Sequence, residues 1–257
     1  MKVMEKFIQQ ITKRAGDVIL KKFGKIGVKY SKEDANDVVT EADLASNTLI
    51  INEIRKKYPT HGIISEETGE YQKDAEYIWI IDPLDGTLNF ATKIPLFAVM
   101  VGLAKKGKME LGAIYNPCTK EFIFAKNGKG AFLNGKRVYC SEKEKWEDSR
   151  GIIGSILSPG NSKLIAGILK STEKETCRID AFGSFGISVL FLANGRRDWQ
   201  ALKRGLLWDC APGALILKEA GCKVTNFKGE PWTINEREIV VSNKFLHKRL
   251  LTIINPQ

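Results

Sequence analysis

The chain has 257 residues, 43% of them hydrophobic, enough to bury a substantial core as one large domain or two modest ones. Forty Lys and Arg against thirty Asp and Glu give a formal net charge of +10. The basic residues are spread along the whole chain without a dense block or an aromatic-interleaved RNA motif, which favours a solvated surface or attraction of phosphorylated ligands over nucleic acid as a partner.

Five scattered cysteines, Cys118, Cys140, Cys177, Cys210 and Cys222, exclude a disulfide framework and a Cys-x-x-Cys pair and point to reduced thiols. The opening MKVMEKFIQQITKRAGDVIL alternates charged and apolar residues instead of forming a signal segment. No later run approaches a membrane span, so the expected setting is the cytoplasm.

In chain order, Met4, Phe7, Ile8, Ile11, Ala15, Val18 and Ile19 recur at helical spacing until Gly24, and Leu44, Thr48, Leu49, Ile51 and Ile54 mark a second helix ending before Pro59. Strands follow at 62–65, 77–81, 97–103, 110–115 and 121–125, with the turn signals KKGK, NGKG and LNGK, so an antiparallel meander is expected. CSEKEKWEDSRG at 140–151 reads as a charged connector. Beyond it come the strand GIIGSIL, a helix from about 161, a short strand near Cys177, helices over Ser184 to Ala193 and from about 210 to Ala220, and strands near Val224 and Ile239. The expected division is an α+β half over 1–145 with a large antiparallel sheet and an α/β half over 146–257, with no internal repeat.

The stretch WIIDPLDGTLNF, 79–90, ends a buried strand in two carboxylates, Asp82 and Asp85. Buried unpaired carboxylates protonate unless something positive sits beside them, and no basic residue is local. Two carboxylates around a proline, with the Leu84 carbonyl between them, supply the oxygen ligands that hard cations such as Mg²⁺ take. Gly86 and Thr87 then open a helix whose first N–H groups are suited to a phosphate. The alternative is that the two aspartates only cap turns. Three further acidic places carry the same ambiguity. Glu66 and Glu67 follow the strand IIS, Asp209 precedes a helix in WDCAPGALILKEAG as a cap would, and Thr40 and Asp43 in DVVTEADL have capping-box spacing.

Taken together, DVVTEAD, SEET, WIIDPLDGT and WDCAPGALILKEAG, in this order along the chain and spanning 37–221, resemble the motifs of the inositol monophosphatase family. The resemblance implies a layered αβαβα sandwich, Mg²⁺-dependent hydrolysis of phosphate monoesters with Mn²⁺ as a possible substitute, sensitivity to lithium and a homodimer. By motif position, Glu66, Asp82, Asp85, Asp209 and the Leu84 carbonyl become metal ligands, most of them in the first half. Glu67 supports a metal-bound water, Thr87 with Asp43 orients the attacking water, and the Gly86 and Thr87 N–H groups hold the phosphate. About two or three Mg²⁺ ions suit this chemistry, because a phosphate dianion repels hydroxide until its oxygens are neutralised.

The only histidines, His61 and His247, lie far apart in the chain, which speaks against a His-based triad and for structural or surface roles. The sequence departs from the family where animal members hold an acidic residue for inositol hydroxyls, seven positions before Asp209: here stands Leu202, followed by Lys203 and Arg204, which are suited to a second phosphate. Cys210 and Pro212 also replace small residues. Inositol 1-phosphate and fructose 1,6-bisphosphate are the leading substrates. A 3′-phosphoadenosine 5′-phosphate nucleotidase and an RNA- or transcription-machinery-binding protein on the same fold are the alternatives.

Overall fold

The computed structural model describes residues 1–31, 38–154, 162–172 and 177–255. Asp37 of DVVTEADL, the end of GIIGSIL and residue 161, where a helix was expected to start, lie outside them. The chain opens with α1 (Lys2–Lys22), which buries Phe7, Ile8, Ile11, Ala15 and Ile19 at the spacing the sequence predicts. Strands β1 (Val28–Ser31) and β2 (Val38–Thr40) form a small antiparallel pair before α2 (Glu41–Lys57).

Next come β3 (Gly62–Ser65), β4 (Gly69–Tyr71), β5 (Tyr77–Asp85), the short helix α3 (Thr87–Ala91), β6 (Ala98–Lys105), β7 (Lys108–Asn116), β8 (Glu121–Lys126), β9 (Gly130–Leu133) and β10 (Lys136–Arg137). These strands make one sheet of eight in the order β10-β9-β8-β7-β6-β5-β3-β4. The expected antiparallel meander holds from β5 to β10 but not at its start, because β3 runs parallel to β5 with Ser65 opposite Ile81. The three-residue strand β4 lies between them in sequence and pairs on the outer edge of β3. A further correction concerns β5, which continues past Ile81 to Asp85.

The second sheet is built from β11 (Arg150–Ile153), the outer helix α4 (Ser162–Ser171), β12 (Arg178–Asp180), α5 (Phe185–Ala193), β13 (Trp199–Leu202), α6 (Leu207–Glu219), β14 (Lys223–Thr225), β15 (Ile239–Ser242) and α7 (His247–Ile254). Its strand order is β12-β11-β13-β15-β14. The stretch read as a charged connector is not wholly solvated, since Trp146 is buried and stacks on Trp199 at 5.0 Å between ring centroids.

Alternation along the strands sorts their side chains into three cores. Trp79, Ile81, Val99, Val101 and Leu103 pack against α1 and α2, while Ala98, Met100 and Ile114 meet α5, α6 and, from the other sheet, Ile239 and Val241. Val240 faces the opposite way, onto α4 and α7. The result is the layered αβαβα sandwich, with two helices outside each sheet and two between them. The middle core joins the two halves of the chain, so α5 and α6 are held by both sheets.

Pro212 sits inside α6, where it removes one helical N–H. Two glycines paired across β6 and β7 make room for it: a Cβ on Gly102 would lie 3.2 Å from the Pro212 ring and one on Gly112 only 2.6 Å from its carbonyl oxygen. The helix therefore lies close on the sheet.

Candidate active site

Asp82 and Asp85 are three residues apart, a spacing that in a regular strand places side chains on opposite faces. Here Asp82 pairs with Met100 and Asp85 with Ala98, so two residues of β5 oppose one of β6. This bulge, at Pro83, restores both carboxylates to the face shared by Met100 and Ala98, toward α5 and α6. Parallel pairing of β3 with β5 then sets Glu66 beside Asp82, with the Glu66 N–H donating to the Ile81 carbonyl at 3.2 Å.

Helix starts gather at the same place. Asp43 is the third residue of α2; its Oδ2 accepts from the Thr40 N–H at 2.8 Å while Thr40 Oγ1 accepts from the Ala42 N–H at 3.1 Å, the two-way cap that the spacing predicted, and the Thr40 hydroxyl also donates to Asp43 Oδ2 at 2.5 Å. Asp85 accepts from the Ser184 hydroxyl and from the N–H groups of Phe185, at 3.0 Å, and Gly186, at 2.7 Å, which open α5. Asp209 does not precede its helix as the sequence suggested. It is the third residue of α6 and accepts from the Leu206 N–H at 2.9 Å, a one-sided cap because leucine has no side-chain acceptor. Each aspartate is thus stabilised by the positive end of a helix.

Asp82 has no such helix. It is 2% exposed and accepts from the Leu84 N–H at 3.1 Å. Burial first, and then the charges of Glu66, Asp85, Asp209 and Asp43, push its carboxyl well above the ordinary carboxylate range. Burial also raises Asp85, against the lowering effect of its Ser184, Gly186 and Phe185 bonds. Asp43 is raised by burial to about 6, despite its Thr40 and Thr87 bonds.

The acidic groups open into a cleft of about 300 Å³ lined by Glu66, Asp82, Asp85, Thr87, Asp209 and Arg204. Leu84 and Gly86 also line it, whereas Asp43, Glu67 and Lys203 do not. Asp43 reaches the cleft through Thr87, whose hydroxyl lies 2.9 Å from Asp43 Oδ1 and 2.8 Å from the Leu84 carbonyl. Its one proton is committed to one of these acceptors, leaving the oxygen lone pairs to accept from a third group. Gly86 has φ +86°, and a Cβ there would meet the Leu96 carbonyl at 2.9 Å, so the tight turn into α3 requires glycine.

Oxygen donors only, one of them a deeply buried carboxylate among like charges, form a set suited to a hard divalent cation. Among the described residues no three acidic, His or Cys side chains already enclose a coordination point; the bonds to Ser184 and to the starts of α5 and α6 hold Asp85 and Asp209 in place.

The whole chain, residues 1–257, matches the inositol monophosphatase family. The chain belongs to the inositol monophosphatase family. A fructose-1,6-bisphosphatase/inositol-1-monophosphatase of Thermotoga maritima is 32% identical over 97% of this chain and 94% of its own length. A Nus factor SuhB of Pseudomonas aeruginosa is 34% identical over 100% of this chain and 97% of its own. The crystal structure of the extragenic suppressor protein suhB from Bartonella henselae superposes with a TM-score of 0.92 at 31% identity, covering 100% of this chain and 99% of that one.

Among the cleft residues that escaped the sequence reading are Ser184 and Gln200. Ser184 was visible only as the start of a helix, and nothing local connects it to Asp85, 99 residues away. Gln200 lies in the buried strand WQAL; it is 2% exposed, lines the cleft, and its Oε1 has no hydrogen-bond partner. A single amide in an apolar strand was its only signal.

The two histidines lie outside the cleft lining. His61 Nδ1 accepts from the Trp79 indole N–H at 3.1 Å, and His247 is held by the hydroxyls of Thr225 and Ser242 at 3.0 and 2.8 Å. Among the described residues no helix is long and apolar enough to cross a membrane, and all five cysteines are free thiols.

Proposed function

We propose that this chain hydrolyses phosphate monoesters of small polyols and sugars, inositol 1-phosphate and fructose 1,6-bisphosphate foremost, with Mg²⁺ as cofactor and water as nucleophile. The observation that carries this reading is Asp82, buried among Glu66, Asp85 and Asp209 at the floor of a cleft sized for one sugar phosphate. Those four carboxylates and the Leu84 carbonyl would hold the metal. When bound, Mg²⁺ neutralises phosphate oxygens and acidifies a water ligand. Glu67 would support that water from the end of β3.

The protein's own part is positioning. The Thr87 hydroxyl, donating its hydrogen bond to Asp43 or to the Leu84 carbonyl, would accept a hydrogen bond from the attacking water and fix its direction. The Gly86 and Thr87 N–H groups, without intrahelical partners by position, face the phosphate. Arg204 at the exposed rim is placed for a second phosphate, whereas Lys203 lies outside the lining. The same reading includes a homodimer, lithium inhibition, Mn²⁺ as a substitute and a cytoplasmic site of action.

Release of inorganic phosphate from a panel with and without Mg²⁺ tests the proposal, the panel including 3′-phosphoadenosine 5′-phosphate for the nucleotidase alternative. Asp82→Asn should lower the rate by roughly a thousandfold. A folded Asp82→Asn protein with near-normal turnover at saturating Mg²⁺ would overturn it.

The relatives called Nus factor SuhB favour a second reading, in which this fold contacts RNA or the transcription machinery. That role does not need the carboxylates. Asp82→Asn should abolish hydrolysis and leave RNA retention in a mobility-shift assay unchanged if both readings hold.

A further inference from the structure

A second cavity, of about 930 Å³, shares no lining residue with the acidic cleft. It lies between the turn joining β6 to β7, the later turns of α6, β14 and the start of α7. Its charge is the reverse of the cleft's. Lys108, Lys218, Lys223, Lys244 and Lys248 line it without a single carboxylate. Among the described residues none of these five takes part in an ion pair.

The floor is apolar. Met109, Leu215, Val224 and Leu251 contribute to it together with the ring of Trp232. The Trp232 side chain adds a flat aromatic surface to this lining. His247 also lines the cavity, but both ring nitrogens already face hydroxyls and burial holds the ring neutral near pH 7. Positive charge therefore comes from the lysines alone.

These features select a ligand. Inorganic phosphate would meet the lysines and leave the floor bare. An aliphatic anion would cover the floor without stacking on the Trp232 ring. A planar heterocycle bearing phosphate suits the lysines, the apolar floor and the Trp232 ring, and the volume lies within the usual range for small-molecule sites. We propose that this cavity binds a nucleoside phosphate, with the base on the floor against the Trp232 ring and the phosphate among the lysines. Helix α6 starts at the acidic cleft with Asp209 and presents Leu215 and Lys218 here, so the two sites share one rigid element.

Isothermal titration of the full chain with AMP and GMP in EDTA, where metal-dependent phosphate binding at the acidic cleft is suppressed, tests the proposal. One equivalent should bind with Kd of about 10–100 µM. The double variant Lys218→Gln/Lys248→Gln, both exposed in the folded chain, should weaken binding about tenfold or more, while Asp82→Asn should leave it unchanged. Ligand-induced quenching of tryptophan fluorescence should disappear in Trp232→Phe. No heat at millimolar nucleotide overturns the site. So does an equal affinity for inorganic phosphate, insensitivity to the lysine changes, loss in Asp82→Asn, or binding of a hexa-adenylate strand without binding of mononucleotides.

Discussion

The Thr87 hydroxyl meets Asp43 Oδ1 at 2.9 Å across 44 residues of chain, joining the start of α2 to the start of α3. Asp43 thereby serves two purposes with two oxygens: Oδ2 caps α2 and Oδ1 lies within hydrogen-bond distance of the Thr87 hydroxyl. If Thr87 orients the attacking water, Thr87→Val should lower kcat about a hundredfold with little change in KM, and Thr87→Ser should retain activity within about tenfold. Steady-state phosphate release on folded variants decides this. Equal losses in the two variants would mean that shape, not the hydroxyl, matters.

Asp209 poses a similar question of cap against ligand. An asparagine keeps an oxygen for the Leu206 N–H, now 2.9 Å from Asp209 Oδ2, and caps about as well. Asp209→Asn should therefore shift Tm by no more than a few degrees while turnover falls at least about a hundredfold and half-saturation by Mg²⁺ moves to higher concentration. Unchanged kinetics would leave Asp209 as a cap alone.

Gln200 Oε1 is a buried acceptor without a partner on the wall of the cleft, where a substrate hydroxyl would satisfy it in place of the missing acceptor at Leu202. Gln200→Met removes the orphaned atom at similar volume. Stability should stay level or rise by about 1 kcal/mol, while KM for inositol 1-phosphate rises about tenfold. A destabilised variant with unaltered KM would assign Gln200 to packing.

Arg204 lies at the cleft rim and Lys203 does not. Arg204→Ala should raise KM for fructose 1,6-bisphosphate about 10- to 100-fold and spare inositol 1-phosphate, the size of one charge-assisted contact. Lys203→Ala should change neither. Parallel effects on both substrates would sink the second-phosphate assignment.

His247 sets a pH dependence of stability. Burial, with Lys223 adding to it, lowers its pKa from 6.5 to about 4. The unfolded chain then binds the proton more readily, so the contribution is complete above pH 6.5 and is lost as pH falls toward 4. Allowing for solvent screening, the loss over that range is on the order of 1–2 kcal/mol. Urea midpoints measured between pH 7.5 and 4.5 should fall less steeply in His247→Gln than in the parent. Parallel slopes would show that other groups carry the acid sensitivity.

The family and the order of its acidic motifs were legible in the chain because each motif is local: a strand ending in Asp-Pro-Leu-Asp-Gly, a helix opening with Trp-Asp, a Thr-x-x-Asp box. Helix α1 was legible too, since its buried stripe repeats at 3.6 residues. Strands β4, β9 and β10 were not; they are too short for a period to register and exist because a neighbouring edge offers hydrogen bonds. Local spacing also placed Asp82 and Asp85 three residues apart without saying that they face the same way. That was decided by pairing with β6, where two residues oppose one. Likewise, only the meeting of the β5 end with α5 brings Ser184 to Asp85, and only the approach of α6 to Gly102 and Gly112 carries Asp209 to the same cleft. Residue types and their intervals determine which chemistry the chain carries; contacts between segments a hundred residues apart determine where that chemistry is assembled, because direction and distance between segments arise only from packing.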